Sequence, residues 1–354
     1  MARPSVATTI CLLALGVLVQ AQDPQQPVFR SRLETVAVPV TVFDPDGDLV
    51  TELTRDDFTV LDNGKPQDIT TFSSGLQPIR AVALVDNSAS MAPVLDLALA
   101  SAEQFVDRLR PDDKARVGVF SLHTWLSPDF TADRDALVAW LHRDQPWNNP
   151  TAILDAVNEA ITDLTGENGR RVVVVFTDGC DTASTTGWST ILNRIRAEDV
   201  MVYAVMFQPH LAVKPPEQHT IGFGAAARAR PGPMSGPLPP CTLHHWLELS
   251  NASPPKDFLK VDDPRWTRGA ALVDQLASET GGGRVLLTPA EETNRLFTHI
   301  LDELHYLYLL GFTPQKLDGK VHELTVKLKD AKLVVRARQH YVAPVRAGAG
   351  PGGL

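Results

Sequence analysis

The sequence predicts an α/β domain with a doubly wound, mostly parallel sheet, inserted between two flanks that contain only strands. Two observations carry this prediction. Residues 78–305 alternate short, continuous apolar runs with amphipathic stretches, which is typical of buried parallel strands joined by helices. Both flanks instead alternate apolar and polar residues with a period of two, the pattern of strands buried on one face. We therefore expect the two flanks to pack together into one small β-sandwich.

Residues 1–21 are predicted to be an export signal. Arg3 supplies a positive charge, and residues 10–19 form an apolar run of signal length that is too short to span a bilayer comfortably. Val19 and Ala21 then give a small-residue cleavage pattern. We expect an exported protein, periplasmic or secreted, with no transmembrane segment in the mature chain. A short membrane anchor is the alternative.

The composition is that of a globular protein, with 44% apolar and 21% charged residues. The formal net charge of −9 argues against a nucleic-acid partner, for which a basic face is expected. Removal of the signal leaves two cysteines, Cys180 and Cys241. Export permits a disulfide bond between them, and two free thiols are the alternative.

Residues 28–77 form the predicted N-terminal β domain. Valines at alternate positions from 36 to 42 predict a half-buried strand, in which Pro39 indicates a sheet edge or a bulge. A second strand around 58–61 precedes Asp62-Asn63-Gly64, which is a hairpin signal.

The α/β domain is predicted over residues 78–305. Its strands are predicted at 81–86, 116–121, 171–178, 200–207 and 284–287. Its helices are predicted at 93–110, 133–142, 151–164, 188–198, 267–279 and 290–305. Residues 208–264 are rich in proline and have no sustained period, which predicts a long surface insertion.

Residues 306–345 return to strands and are expected to pack with the N-terminal β domain. Alternation predicts strands at 306–312, 322–329 and 332–342. Asp330-Ala331 is predicted to be a tight turn between the last two strands.

The string Asp86-x-Ser88-x-Ser90 lies where the first buried strand of the α/β domain ends. Ligand sites of open α/β sheets lie at the carboxyl ends of strands. Thr151 begins a predicted helix, and Asp178 ends the most apolar strand. The five side chains offer hard oxygen donors, which suit Mg²⁺ or Mn²⁺ and not zinc. The alternative is that the first loop merely caps the following helix.

This pattern resembles the metal-ion-dependent adhesion site of von Willebrand factor type A domains, over roughly residues 78–300. The resemblance implies a Rossmann-like fold in which Ser88, Ser90 and Thr151 bind a Mg²⁺ or Mn²⁺ ion directly. It also implies that Asp86 and Asp178 act partly through water. The flanks are similar to those of an exported acidobacterial subfamily of these proteins.

The resemblance implies a non-enzymatic, adhesion-type module that grips an Asp or Glu of a protein partner through the cation. The sequence also favours a non-enzymatic protein, because it has no G-x-S-x-G and no H-E-x-x-H motif, and its ten histidines lie outside the metal loops. A metal-assisted hydrolase and a structural envelope component with a vestigial site are the alternatives. Asp181 is either a further charge near the site or an ordinary loop residue.

Overall fold

The computed structural model describes residues 35–144, 150–207, 264–287 and 293–345. The described residues all belong to one compact unit, Glu34–Leu354. The predicted export signal and the proline-rich stretch at 208–263 lie outside the described residues. Within the described ranges, no helix has the length and apolar character needed to cross a membrane.

The elements follow in chain order. The first flank contains β1 (Val36–Phe43), β2 (Phe58–Asp62), β3 (Lys65–Gln67) and β4 (Thr71–Leu76). The α/β part begins with β5 (Ile79–Asp86), α1 (Leu95–Asp107), β6 (Lys114–Phe120), β7 (Thr124–Leu126), α2 (Arg134–Leu141) and α3 (Ile153–Leu164). It continues with β8 (Arg170–Thr177), α4 (Trp188–Ala197), β9 (Val200–Phe207), α5 (Pro264–Thr280), β10 (Arg284–Leu287) and α6 (Thr293–His305). The second flank contains β11 (Tyr306–Phe312), β12 (Val321–Leu328), β13 (Val334–Ala337) and β14 (His340–Val342).

The central sheet has six strands in the order β10-β9-β8-β5-β6-β7. All neighbours are parallel except β7, which is a short antiparallel strand beside β6. The strands end nearly level, with Asp86 opposite Phe120 and Thr177 opposite Met206. The loops that follow β5, β6 and β8 therefore meet at one edge of the sheet.

Helices cover both faces of this sheet. On one face, Phe105 of α1 and Phe297 of α6 share an apolar cluster with Ala83 of β5. On the other face, Val157 of α3 shares a cluster with Leu84 of β5. Because neighbouring strand residues are buried on opposite faces, the strands are apolar without alternation. The predicted fold class, a doubly wound and mostly parallel sheet with flanking antiparallel strands, is confirmed.

The two flanks form two antiparallel sheets, in the orders β13-β1-β11-β4 and β14-β12-β2-β3. Each sheet combines strands that precede the α/β part with strands that follow it. One apolar cluster, which includes Val38, Tyr308, Val60 and Leu324, joins the two sheets. The chain enters and leaves the α/β part side by side, since the backbone N–H of Gln77 donates to the carbonyl of His305 at 2.9 Å.

The position of Pro39 differs from the prediction. β1 is an interior strand of its sheet, between β13 and β11, and not an edge strand. Pro39 lies opposite Leu309 of β11, but the pairing with β13 begins only at Val40. The proline, which has no N–H to donate, therefore lies on a stretch of β1 with a neighbouring strand on one side only.

The strand predicted at 332–342 is two strands in different sheets. β13 pairs with β1, whereas β14 pairs with β12, so the turn at Asp330-Ala331 does not close a hairpin. The break falls at Arg338, whose guanidinium donates to the carbonyl of Arg196 in α4 at 2.6 Å. The alternation of apolar and polar residues continues through Arg338 and does not reveal this contact with a distant helix. The sequence pattern therefore predicts one strand.

Candidate metal centre

The sequence-predicted site residues lie on three loops at the carboxyl edge of the central sheet. Asp86, Ser88 and Ser90 follow β5, Thr151 precedes α3, and Asp178 follows β8. All five residues are buried. The hydroxyl oxygens of Ser88 and Ser90 are 3.2 Å apart, so these two side chains point to the same place.

The first loop is shaped by its own aspartate. The backbone N–H of Ser88 donates to Oδ1 of Asp86 at 3.0 Å, which turns the chain back toward the carboxylate. The N–H of Asn87 donates to the carbonyl of Phe120 at 2.7 Å and holds the loop against the end of β6. A 3-10 turn, Ala89–Val94, follows and carries Ser90. This spacing therefore places one carboxylate and two hydroxyls together.

Thr177 connects the first loop to the loop after β8. Its hydroxyl donates to Oδ2 of Asp86 at 2.6 Å and accepts from the N–H of Gly179 at 3.0 Å. Gly179 has a φ of +85°, which favours glycine. The N–H of Cys180 donates to Oδ1 of Asp178 at 2.9 Å. The sequence predictions did not include Thr177, although a hydroxyl at the end of an apolar strand beside Asp178 is a usable signal.

The backbone at Thr151 and Ala152 joins the loop after β8 to the end of β6. The carbonyl of Thr151 accepts from the N–H groups of Thr182 and Ala183 at 2.8 and 2.9 Å, and its N–H donates to the Thr182 hydroxyl at 3.0 Å. The N–H of the next residue, Ala152, donates to the carbonyl of Ser121 at the end of β6, also at 2.8 Å. These contacts place Thr151 at the same sheet edge as the other four residues.

Asp181 serves the N-terminus of α3. Its Oδ2 accepts from the N–H of Leu154 at 3.0 Å and from the hydroxyl of Ser184 at 2.6 Å. Its Oδ1 accepts from the N–H of Ser184 at 3.1 Å. Asp181 therefore satisfies a free N–H of the first helical turn and fixes the loop beside Thr151.

The electrostatics of the site favour a cation. Asp86 is fully buried, and burial together with the neighbouring Asp178 carboxylate raises the pKa of Asp86 to about 8, although hydrogen bonds from Thr177 and Ser88 lower it. Within the described ranges, no basic side chain forms an ion pair with Asp86. A buried carboxylate needs a cationic or hydrogen-bonding partner to stay charged. Two carboxyl and three hydroxyl groups are the donor chemistry that Mg²⁺ or Mn²⁺ prefers, so these residues fit such an ion.

The site differs in kind from a histidine or cysteine centre. In the part of the chain that the structure describes, no group of three or more His, Cys, Asp or Glu residues is placed to hold a metal. Cys180, next to the site, is buried and disulfide-bonded. Cys11 and Cys241 lie outside the described residues. The pairing of Cys180 with Cys241 stays a prediction.

One known family matches the part of the chain that carries the candidate site. The family model of the von Willebrand factor type A domain matches residues 81–180, a range that includes the five candidate ligands. No curated protein matches the sequence.

Several solved structures are distantly similar. An aerotolerance-related membrane protein from Bacteroides fragilis is 20% identical with a TM-score of 0.43, over 64% of this chain and 98% of that chain. BatB from Bacteroides thetaiotaomicron is 18% identical with a TM-score of 0.42, over the same shares of 64% and 98%. The crystal structure of the vWF domain of the type V pili tip protein Mfa5 from Porphyromonas gingivalis is 20% identical with a TM-score of 0.28, over 30% of this chain and 40% of that chain. Residues 81–180 therefore match the von Willebrand factor type A domain, and the strand order is that of a VWA-like α/β fold with a mostly parallel sheet.

Proposed function

We propose that this chain is an exported, non-enzymatic binding protein that grips an acidic group of a protein partner through a divalent cation. Domains of this family commonly mediate protein–protein interactions. The observation that carries the proposal is the burial of five oxygen-bearing side chains at one edge of the sheet, where ligand sites of such sheets lie. The predicted export signal, and the resemblance of the flanks to exported acidobacterial proteins, support the location.

In this proposal, the neutral and the charged side chains of the candidate metal centre have different roles. Ser88, Ser90 and Thr151 supply neutral hydroxyl oxygens, while Asp86 and Asp178 supply the negative charge that attracts a cation. When bound, Mg²⁺ or Mn²⁺ supplies a Lewis-acidic centre with a coordination position that an Asp or Glu side chain of the partner fills. Thr177 holds the Asp86 carboxylate in place, and Asp181 holds the loop beside Thr151.

A calorimetric titration with Mg²⁺ and with Mn²⁺ tests the site. We expect saturable one-site binding by the wild type, and binding at least tenfold weaker in Asp178→Asn. The asparagine keeps a carbonyl oxygen for the N–H of Cys180, so the loop is preserved while the charge is lost. Asp129→Asn, which changes an exposed aspartate away from the three loops, is the matched control and is expected to bind like the wild type. Absence of binding in the wild type would remove the main support for the proposal.

A peptide array tests the partner chemistry. Peptides that contain Asp or Glu are compared with matched peptides that contain Asn or Gln, in Mg²⁺ and in EDTA. We expect only acidic peptides to bind, only in Mg²⁺, and not to Asp178→Asn. Capture that persists in EDTA would contradict a cation-mediated grip. Turnover of an ester or peptide that Asp86→Asn abolishes would contradict the non-enzymatic part of the proposal.

A further inference from the structure

A cavity of about 250 Å³ lies at the opposite end of the central sheet from the candidate metal centre. One wall is the outer face of the sheet that contains β1 and β11, with Ala37 and Leu309 among its residues. Val38 and Tyr308, the chain neighbours of these two residues, lie in the sandwich core. Because side chains alternate between the two faces of a sheet, Ala37 and Leu309 lie on the opposite face, which is also apolar and faces the cavity. The other wall is formed by the amino ends of β8 and β9.

The buried residue Arg170 belongs to this second wall. Arg170 is only 9% exposed. One terminal nitrogen donates to the carbonyl of Leu304 at 2.8 Å, in the last turn of α6, and the other lies 3.2 Å from the sulfur of Met201. Its Nε has no hydrogen-bond partner among the described residues. The C-terminus of α6 offsets part of the positive charge, but a helix end carries only about half an elementary charge.

The carboxylates near Arg170 are already paired with other arginines. Glu303 pairs with Arg336, and Asp199 lies 3.9 Å from Arg338. Arg170 itself has no ion pair in the described part of the chain, and it lines the cavity together with Arg171 and Asp199. Burial lowers the pKa of Arg170 to about 10, against the opposing effect of Glu303 and Asp199, so the arginine stays charged at neutral pH.

A buried charge without a directly paired carboxylate is costly, and a ligand at this position would supply one. We propose that the cavity binds a single carboxylate attached to a short, branched apolar group. The planar guanidinium matches a carboxylate, and the wall with Ala37 and Leu309 matches the apolar group. Asp199 also lines the cavity and disfavours ligands with more than one negative charge. The volume lies below the roughly 300–1,000 Å³ of drug-sized pockets, so the ligand is small.

The proposal is independent of the proposed metal site. The strands between the two ends, such as β5, have eight residues, and strands of that length span about 25 Å. The same chemistry occurs in a free branched-chain carboxylic acid and in the C-terminal residue of a peptide. Two probes separate these sources: 3-methylbutanoate stands for the free acid, and N-acetyl-leucine stands for the peptide terminus. Their neutral amides, of nearly the same shape, report the contribution of the charge.

Binding of the four probes to the wild-type chain is measured by calorimetry and by saturation-transfer NMR. We expect 3-methylbutanoate to bind saturably, and its amide to bind at least tenfold more weakly. Binding of N-acetyl-leucine as well would assign the site to a peptide terminus, and its exclusion would assign the site to a free acid. Failure of both acids to bind, or an amide that binds as tightly as its acid, would overturn the proposal.

A cavity-filling variant locates the binding. Ala37→Phe introduces a ring into the cavity wall and leaves Arg170 unmutated. Ala331→Phe makes the same change in an exposed turn and is the control. We expect loss of 3-methylbutanoate binding in Ala37→Phe alone, with Mg²⁺ binding unchanged in both variants. An Ala37→Phe chain that folds and binds 3-methylbutanoate with wild-type affinity would overturn the proposal. If that variant does not fold, the comparison of acid and amide on the wild type decides the question.

Discussion

The Thr177 hydroxyl makes the contact on which the geometry of the candidate metal centre depends. It donates to Asp86 at the end of β5 and accepts from Gly179 after β8, at 2.6 and 3.0 Å. Both partners are buried, so each would lose a hydrogen bond that water cannot replace. The hydroxyl therefore orients the carboxylate of Asp86, a candidate ligand, and also fixes the turn that carries Asp178.

We predict that Thr177→Val lowers the free energy of unfolding by about 1–3 kcal/mol, because it leaves a buried carboxyl oxygen and a buried N–H without partners. The variant should also weaken Mg²⁺ binding, since the Asp86 carboxylate is no longer held. Urea unfolding and calorimetry measure the two effects. Thr177→Ser keeps the hydroxyl and should retain most of both properties, so a serine variant as impaired as the valine variant would contradict the assigned role.

The position of the site residues at one sheet edge was predictable from the sequence. The contacts that support these residues were not predictable. Asp86 and Asp178 each end an apolar run, and the ends of parallel strands meet at one edge whatever the details of the fold. The hydrogen bond from Thr177 to Asp86 joins residues 91 positions apart, and no local pattern encodes such a contact. The same holds for Asp181, whose role became clear only from its contacts with Leu154 and Ser184.

At the scale of elements, the buried carboxylate of Asp113 joins the start of β5, the loop after α1 and the end of α6. Oδ1 of Asp113 accepts from the N–H of Ile79 in β5 at 2.9 Å. Oδ2 accepts from the N–H of Arg110 at 2.6 Å and from Nε2 of His305, the last residue of α6, at 2.7 Å. The other ring nitrogen of His305 faces the carbonyl of Leu301 at 2.7 Å. Both ring nitrogens of His305 face acceptor oxygens, and Nε2 lies at ion-pair distance from the buried Asp113 carboxylate.

We predict that Asp113→Asn lowers the free energy of unfolding by about 1–3 kcal/mol at pH 7, because an amide in place of the carboxylate cannot accept the bonds from Ile79, Arg110 and His305 together. Burial raises the pKa of Asp113, but hydrogen bonds from His305, Ile79 and Arg110 outweigh this effect and lower the pKa below its usual 3.8. The stabilisation by this carboxylate is therefore fully present above about pH 4 and is lost as the pH falls through the lowered pKa.

Urea unfolding at a series of pH values between 7 and 2.5 measures this dependence. The difference between the wild type and Asp113→Asn should shrink below about pH 4, where the wild-type carboxylate becomes protonated. The exposed neighbour provides the control, since Asp112→Asn removes a charge outside the ion pair. A constant difference at every pH would contradict the assigned role of the carboxylate.

The element predictions succeeded where burial alone sets the pattern. The continuous apolar run of β8 and the alternation of β1 follow from two-sided and one-sided burial, respectively. The predictions failed where a contact with a distant element decides the outcome. Arg338 splits the tail into β13 and β14 through its bond to α4, and Pro39 is tolerated in an interior strand because β13 pairs only from Val40 onward.

At the scale of the whole molecule, the first flank depends on the second for its pairing. β11 is the neighbour of both β1 and β4, and β12 is the neighbour of β2. By contrast, β5 and β8 pair only with strands of the α/β part. Loss of the second flank should therefore affect the two parts unequally.

We predict that a chain ending at His305 loses the structure of residues 36–76. Hydrogen exchange measured by mass spectrometry should reach the rate of an unfolded chain in β1, β2 and β4, while β5 and β8 stay protected. A chain ending at Val345, which keeps all four strands of the second flank, is the control and should exchange like the wild type. Unchanged protection of β1 after removal of β11 would show that the flanks do not depend on each other.

The side-by-side entry and exit of the α/β part, marked by the hydrogen bond between Gln77 and His305, has a mechanical consequence. A force applied between β1 and β14 acts on the strand pairs of the sandwich, because these two strands belong to its two sheets. The α/β part lies outside that path, as a loop of chain whose two ends meet at one point. Tension along the chain therefore shears the sandwich and leaves the loops at the far edge of the central sheet, which carry the candidate metal residues, unstretched.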